Sequence, residues 1–126
     1  MLRNLLFIAL GGATGSVLRY ITSLWTLKLV GPNWLISGTT VANITGCLLI
    51  GISASVLQEK GLMDDTIKLF LIVGFLGGFT TFSSFGLEGI EIAEISLQKS
   101  LIYLSFQVII GSIAVWTGLS VGKSLF

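Results

Sequence analysis

Residues Gly77 to Phe85 read Gly-Gly-Phe-Thr-Thr-Phe-Ser-Ser-Phe inside an otherwise apolar stretch. Two glycines and a pair of β-branched threonines interrupt what should be a lipid-soluble helix. Backbone N–H and C=O groups cannot face lipid unpaired, so a non-helical turn at membrane depth persists only where protein buries it or a watery path runs past it. Such a break points to an ion or substrate site. Carbonyls released at the glycines suit a cation. Phe79, Phe82 and Phe85 recur every third residue, and phenyl edges are electropositive, so they suit an anion that has shed water. The same spacing equally describes a lipid-facing or core stripe along one helix face.

Further polar groups fall at membrane depth, where they are costly and mark functional sites by default: Arg19, Thr39, Asn43, Thr80, Thr81, Ser83, Ser84, Glu88, Gln107, Ser112 and Thr117. Arg19 lies deep in the first apolar stretch and either lines an aqueous vestibule or snorkels to the surface. Asn43 is central in the second, where its uncharged amide serves an interhelical hydrogen bond or an anion. The Asn43-Ile44-Thr45 triplet matches a glycosylation acceptor, but within an apolar span it is out of reach.

The elements that must hold these groups are membrane helices. Of 126 residues, 53% are hydrophobic and 10% charged, against about 25% charged in an ordinary soluble domain; mean hydropathy is +0.98. Crossing the hydrocarbon core takes about 20 apolar residues per helix. Four stretches meet that requirement, 5–30, 35–57, 67–95 and 101–121, and make one four-span transmembrane domain over residues 1–126. Their connections are short: Gly31-Pro32-Asn33, Gln58 to Thr66, and Ser96 to Ser100. The hydrophobic start at Leu5 to Leu10 runs on through Gly11, Gly12 and Gly15 without a clear cleavage site, so it reads as the first span and not a signal peptide. Gly11 and Gly15, Gly46 and Gly51, and Gly111 and Gly118 let helix backbones pack closely.

Several function classes drop out. A single cysteine, Cys47, forms no intrachain disulfide, and with no histidine the zinc spacings are absent. No basic patch with interleaved aromatics points to nucleic acid. No acid–base pair or nucleophile constellation points to an enzyme. The Lys/Arg balance sets orientation only weakly: Arg3, Lys60, Lys68 and Lys123 lie on the terminal side, among the acids Glu59, Asp64 and Asp65, and Lys28 and Lys99 lie on the other. Insertion in both orientations and assembly as an antiparallel dimer follow slightly ahead of one fixed orientation. So small a bundle encloses a pore only as an oligomer, and symmetric dimers are the commonest.

The residues resemble a known family. Gly11-Gly12-x-x-Gly15-x-x-x-Arg19-Tyr20, Gly38-Thr39-x-x-x-Asn43-x-x-Gly46 and Gly77-Gly78-x-Thr80-Thr81-Phe82-Ser83-x-Phe85-x-x-Glu88, in this order, are similar to the Fluc (CrcB) fluoride channels, small bacterial four-helix proteins that work as antiparallel dimers. The resemblance covers essentially the whole chain. It implies an all-α membrane protein with a broken third helix, multi-pass in the bacterial plasma (inner) membrane and surrounded by lipid. It implies passive, fluoride-selective export of cytoplasmic fluoride, which enters as the weak acid and ionises inside. Phe82 and Phe85 match the phenylalanines of the fluoride pathways, and Asn43 the asparagine whose amide contacts the anion. Gly77 and Thr80 match positions whose backbone carbonyls, from both subunits, hold a structural sodium ion at the dimer centre. Thr81 and Ser83 give polar support, Arg19 resembles the vestibule arginine, and Glu88 the acid after the break.

The fourth span departs from the pattern. Ser112 matches the family's polar-track serine, but the positions one and two turns earlier are Val108 and Leu104, with Tyr103, Ser105 and Gln107 on other faces, and Gly86 replaces a usual serine. Some relatives pair non-identical subunits, so the implied partner is either a second copy or a related chain to which this one is accessory. A small multidrug-resistance-type antiporter shares the size and span count, but resembles proteins with a first-span glutamate where this chain has Arg19.

Overall fold

The computed structural model describes residues 1–59 and 65–125. The charges Lys60 and Asp64 of the second connection lie outside the described residues. Among the described residues there is helix and no strand. Helix α1 is Leu2–Val30 and α2 is Gly38–Glu59; the third span comprises α3 (Asp65–Lys68), a π-helical segment (Leu69–Leu76), α4 (Gly77–Phe79) and α5 (Phe82–Ile95); α6 is Leu97–Ser124. Among the described residues, four helical stretches are long and apolar enough to cross a membrane: Leu2–Val30, Gly38–Gln58, Asp65–Ile95 and Leu97–Ser124.

Local chemistry sets the ends. Helix α1 stops at Gly31, whose φ of 76° is left-handed backbone and whose N–H donates to Leu27 O at 3.0 Å; Pro32 then cannot continue the helix. Helix α2 begins three residues later than the apolar run. The Asn33 side-chain oxygen accepts from the N–H of Leu35 and of Ile36, and Ser37 Oγ caps Thr40 N–H at 3.2 Å, so local turns outcompete helix there. Conversely, Ser96 alone separates α5 from α6, and its hydroxyl caps Lys99 N–H at 3.3 Å. Helix thus claims most of the expected Ser96–Ser100 connection.

Packing is backbone against backbone. A Cβ at Gly15 would overlap Phe75 O and stand 2.9 Å from Phe79 N, and one at Gly118 would overlap Leu48 O and stand 3.0 Å from Ile52 N. Helix α1 therefore lies directly on the leading half of the third span, and α6 directly on α2. Gly46 meets Thr80 of the break, whereas Gly111 has only the Cys47 sulfur nearby, at 3.4 Å. The buried centre is as polar as it is apolar: Thr39, Thr40, Ser55, Ser100 and Gln107 are buried beside Ala42, Leu76, Phe79, Phe85 and Tyr103, while most of the large aliphatic side chains of α1 and α6 face outward. Lipid is as apolar as leucine, so helices here associate through close packing and hydrogen bonds.

Candidate functional site

The third span breaks at Thr80–Thr81, not at the glycines. Thr80 (φ −85°, ψ 158°) and Thr81 (φ −150°, ψ 120°) are extended, a conformation that β-branched side chains favour, while Gly77 and Gly78 stay helical. Thr80 closes the helix before it, with its N–H and Oγ1 both donating to Leu76 O at 3.0 and 2.9 Å. Thr81 opens the helix after it, its Oγ1 accepting from Ser84 N–H at 3.2 Å, the usual N-cap bond. Phe79 therefore leaves the expected stripe: it lies before the break, 3% exposed and stacked on Phe75 with ring centroids 6.2 Å apart.

The freed backbone groups find specific partners. Asn43 Oδ1 accepts from Thr81 N–H at 2.8 Å and Asn43 Nδ2 donates to Thr81 O at 3.0 Å, so one amide clasps both backbone groups of one residue. Arg19 Nε donates to Gly78 O at 3.2 Å, tying the half-buried arginine to the end of the helix before the break. The carbonyls of Gly77 and Thr80 are among those released by the same rearrangement. Thr81 N–H, which would serve Gly77 O in a continuous helix, turns to Asn43; Ser84 N–H, which would serve Thr80 O, turns to Thr81 Oγ1. Gly77 and Thr80 therefore present hard carbonyl oxygens of the kind a small cation takes, two donors of the several such an ion requires.

An open groove of about 360 Å³ runs beside the break and brings Asn43, Gly77, Thr80, Thr81, Phe82 and Phe85 together. Phe85 is buried and Phe82 83% exposed; their rings are tilted by 51° at 5.5 Å. Three expected residues are elsewhere. Ser83 is exposed, with Oγ 3.2 Å from Thr81 Oγ1; Ser112 is exposed and donates to Val108 O at 2.7 Å; Arg19 does not line the groove.

Gln107, one of the polar groups expected at membrane depth, and Tyr103 lie on a different face of α6 from the exposed Ser112, as their spacing predicts. They share the inward face of α6 with Ser100, Gly111, Gly118 and Gly122 and join the site. Gln107 lines the groove and accepts from Asn43 Nδ2 at 3.0 Å. Tyr103 OH donates to Glu88 Oε2 at 2.6 Å, as does Ser37 Oγ at 2.7 Å, while Thr39 Oγ1 donates to Glu88 Oε1. Three hydroxyls thus satisfy a carboxylate at the N-terminal end of α2, where the helix dipole favours negative charge. The signal for that face lay in Gly111 and Gly118: the positions one and two turns before Gly111 are Gln107 and Tyr103.

Four spanning helices with a broken, hydrogen-bonded third span define a multi-pass α-helical membrane protein whose polar site is a break in the helix. The match to known sequences narrows this class. The family model for "CrcB-like protein, Camphor Resistance (CrcB)" matches residues 6–119, and the chain belongs to that family. It is 40% identical over 126 residues to the fluoride-specific ion channel FluC of Agrobacterium fabrum, covering 98% of both chains. It is 41% identical over 125 residues to that of Flavobacterium psychrophilum, covering 98% of this chain and all of the relative. It is also 42% identical over 123 residues to that of Rhizobium etli, covering 95% and 96%.

Proposed function

We propose that this chain forms a fluoride-selective channel, not an enzyme, that lets cytoplasmic fluoride leave a bacterial cell passively across its inner membrane. The observation that carries the reading is the groove, which gathers Asn43, Thr81, Phe82 and Phe85 beside the break in a chain whose full-length relatives bear the name of fluoride channels. Fluoride is small and strongly hydrated, so it needs N–H and O–H donors and electropositive ring edges to replace water. These groups are neutral, which lets the ion leave as readily as it enters. A narrow path excludes the larger chloride.

The groove also argues for a second copy. Thr80 and Thr81 lie on its wall, and the released carbonyls of Gly77 and Thr80 cannot face lipid. An antiparallel copy laid on the groove would cover Phe82 and bring the carbonyls of both chains together around a sodium ion. That ion would fix the two breaks against one another electrostatically; the anion path itself is built from this chain's side chains.

Fluoride efflux from liposomes that contain only this purified chain tests the reading, with chloride as control. Selective fluoride flux that falls by orders of magnitude in Phe82→Ile and Asn43→Ala is the expected result. Absence of flux from well-folded dimers would replace it with an accessory role beside a related subunit.

A further inference from the structure

The hydrogen bonds through Gln107 have a fixed direction, because each end of the chain is a backbone group of unchangeable polarity. At one end Thr81 N–H can only donate, and it donates to Asn43 Oδ1 at 2.8 Å. That turns Asn43 Nδ2 toward Thr81 O and Gln107 Oε1, both at 3.0 Å. At the other end Leu35 O can only accept, and it takes the Thr40 hydroxyl at 2.8 Å. The Thr40 oxygen is then left to accept from Gln107 Nε2 at 3.2 Å. Flipping either amide would set donor against donor and acceptor against acceptor, so both orientations are determined. Gln107 is 7% exposed and lines the groove.

Asn43 therefore has no idle donor. One N–H holds the break through Thr81 O, and the other is held by Gln107. A passing anion that takes a hydrogen bond from Asn43 must take the second, since releasing the first would undo the clasp on Thr81. We propose that Gln107 is a positioning residue of the anion path: its side-chain oxygen holds Asn43's second N–H between ions and yields it to fluoride. The inference rests on the fluoride-channel reading and adds to it an internal competitor that sets how tightly the path binds its ion.

The competition predicts opposite shifts from two near-isosteric changes. Gln107→Met removes the competing oxygen and frees the N–H. Gln107→Glu supplies a stronger, charged competitor that also repels the anion. One neutral hydrogen bond contributes about 1 kcal/mol, roughly a fivefold change in an equilibrium. Half-saturating fluoride for efflux from liposomes should fall about fivefold in Gln107→Met and rise at least as much in Gln107→Glu, relative to the native chain. Thr40→Val, which removes the anchor of Gln107 Nε2 together with the hydroxyl's bonds to Leu35 O and Ser37 Oγ, should shift half-saturation in the direction of Met by a smaller factor and serves if either Gln107 variant fails to assemble. A structural role alone would lower the amount of active protein and leave half-saturation unmoved. Shifts of the same sign in Met and Glu, or none in any variant while the native chain conducts, overturn the role of Gln107 and leave the channel reading intact. No flux from the native chain overturns both.

Discussion

Thr81 serves the break through its side chain and both of its backbone groups: Oγ1 caps α5, N–H meets Asn43 Oδ1, and C=O meets Asn43 Nδ2. Only the first of these depends on the side chain. Thr81→Val keeps the β-branched shape that favours extended backbone and loses the cap, so it should destabilise the protein by about 1 kcal/mol, with Thr81→Ser restoring most of that. Thermal unfolding in detergent reads both, and a Val variant as stable as the native chain would mean that the cap contributes nothing. Asn43→Asp cuts deeper. The carboxylate still accepts from Thr81 N–H, but an oxygen now faces Thr81 O and Gln107 Oε1, and each opposed acceptor costs about 1–3 kcal/mol. Its expected signature is a lower melting temperature than Thr81→Val together with loss of fluoride efflux; normal flux would remove the Asn43 amide from the path.

At the scale of elements, the close approach of α6 and α2 makes two glycines on one face unequal. Gly118→Ala drives a methyl group into Leu48 O, with Ile52 N at 3.0 Å and Gly51 Cα at 3.1 Å, all backbone, so the helices must separate at a cost of about 1–3 kcal/mol. Gly111→Ala meets only the Cys47 sulfur at 3.4 Å and should be nearly neutral. Thermal melts of the pair test the packing, and equal losses would refute it. On the same interface Ser55 Oγ is buried with no hydrogen-bond partner among the described residues, so Ser55→Ala should hold or raise stability. Hydropathy made the four spans legible because about 20 apolar residues carry that signal regardless of context. Helix α2 begins late because an Asx turn at Asn33 and a cap at Ser37 are short-range bonds that hydropathy does not register. The break itself was legible from Gly77 to Thr81, but which two residues extend was settled by Asn43, a partner 38 positions away. The packing face of α6 is legible from Gly111 and Gly118, but that Gln107 and Tyr103 on this face reach Asn43 and Glu88 depends on partners on other helices, which spacing along one helix does not register.

For the whole molecule, the proposed second copy would complete what one chain's break leaves open. Gly77 and Thr80 each lose the helical donor to their carbonyl, and both lie on the open groove. Two oxygens make a poor site for a hard cation, which prefers six or so; a two-fold axis at the groove doubles whatever one chain offers, because a symmetric interface presents the same patch twice. Sodium binding and dimerisation should then be linked, since a ligand that binds only the paired state stabilises it by about 2.7 kcal/mol at a hundredfold excess over its dissociation constant. The monomer–dimer equilibrium in detergent, followed by sedimentation at constant ionic strength in sodium, potassium or N-methylglucamine chloride, measures this directly. Sodium is expected to tighten the dimer by about a hundredfold over N-methylglucamine at such an excess, with potassium between them. The Phe82→Ile variant should keep that dependence, because the ring is proposed to serve the anion path and supplies no oxygen to a cation. Equal dimer affinity in all three salts would leave Gly77 and Thr80 without a cation, and the two breaks would then have to satisfy one another through water or direct hydrogen bonds across the interface.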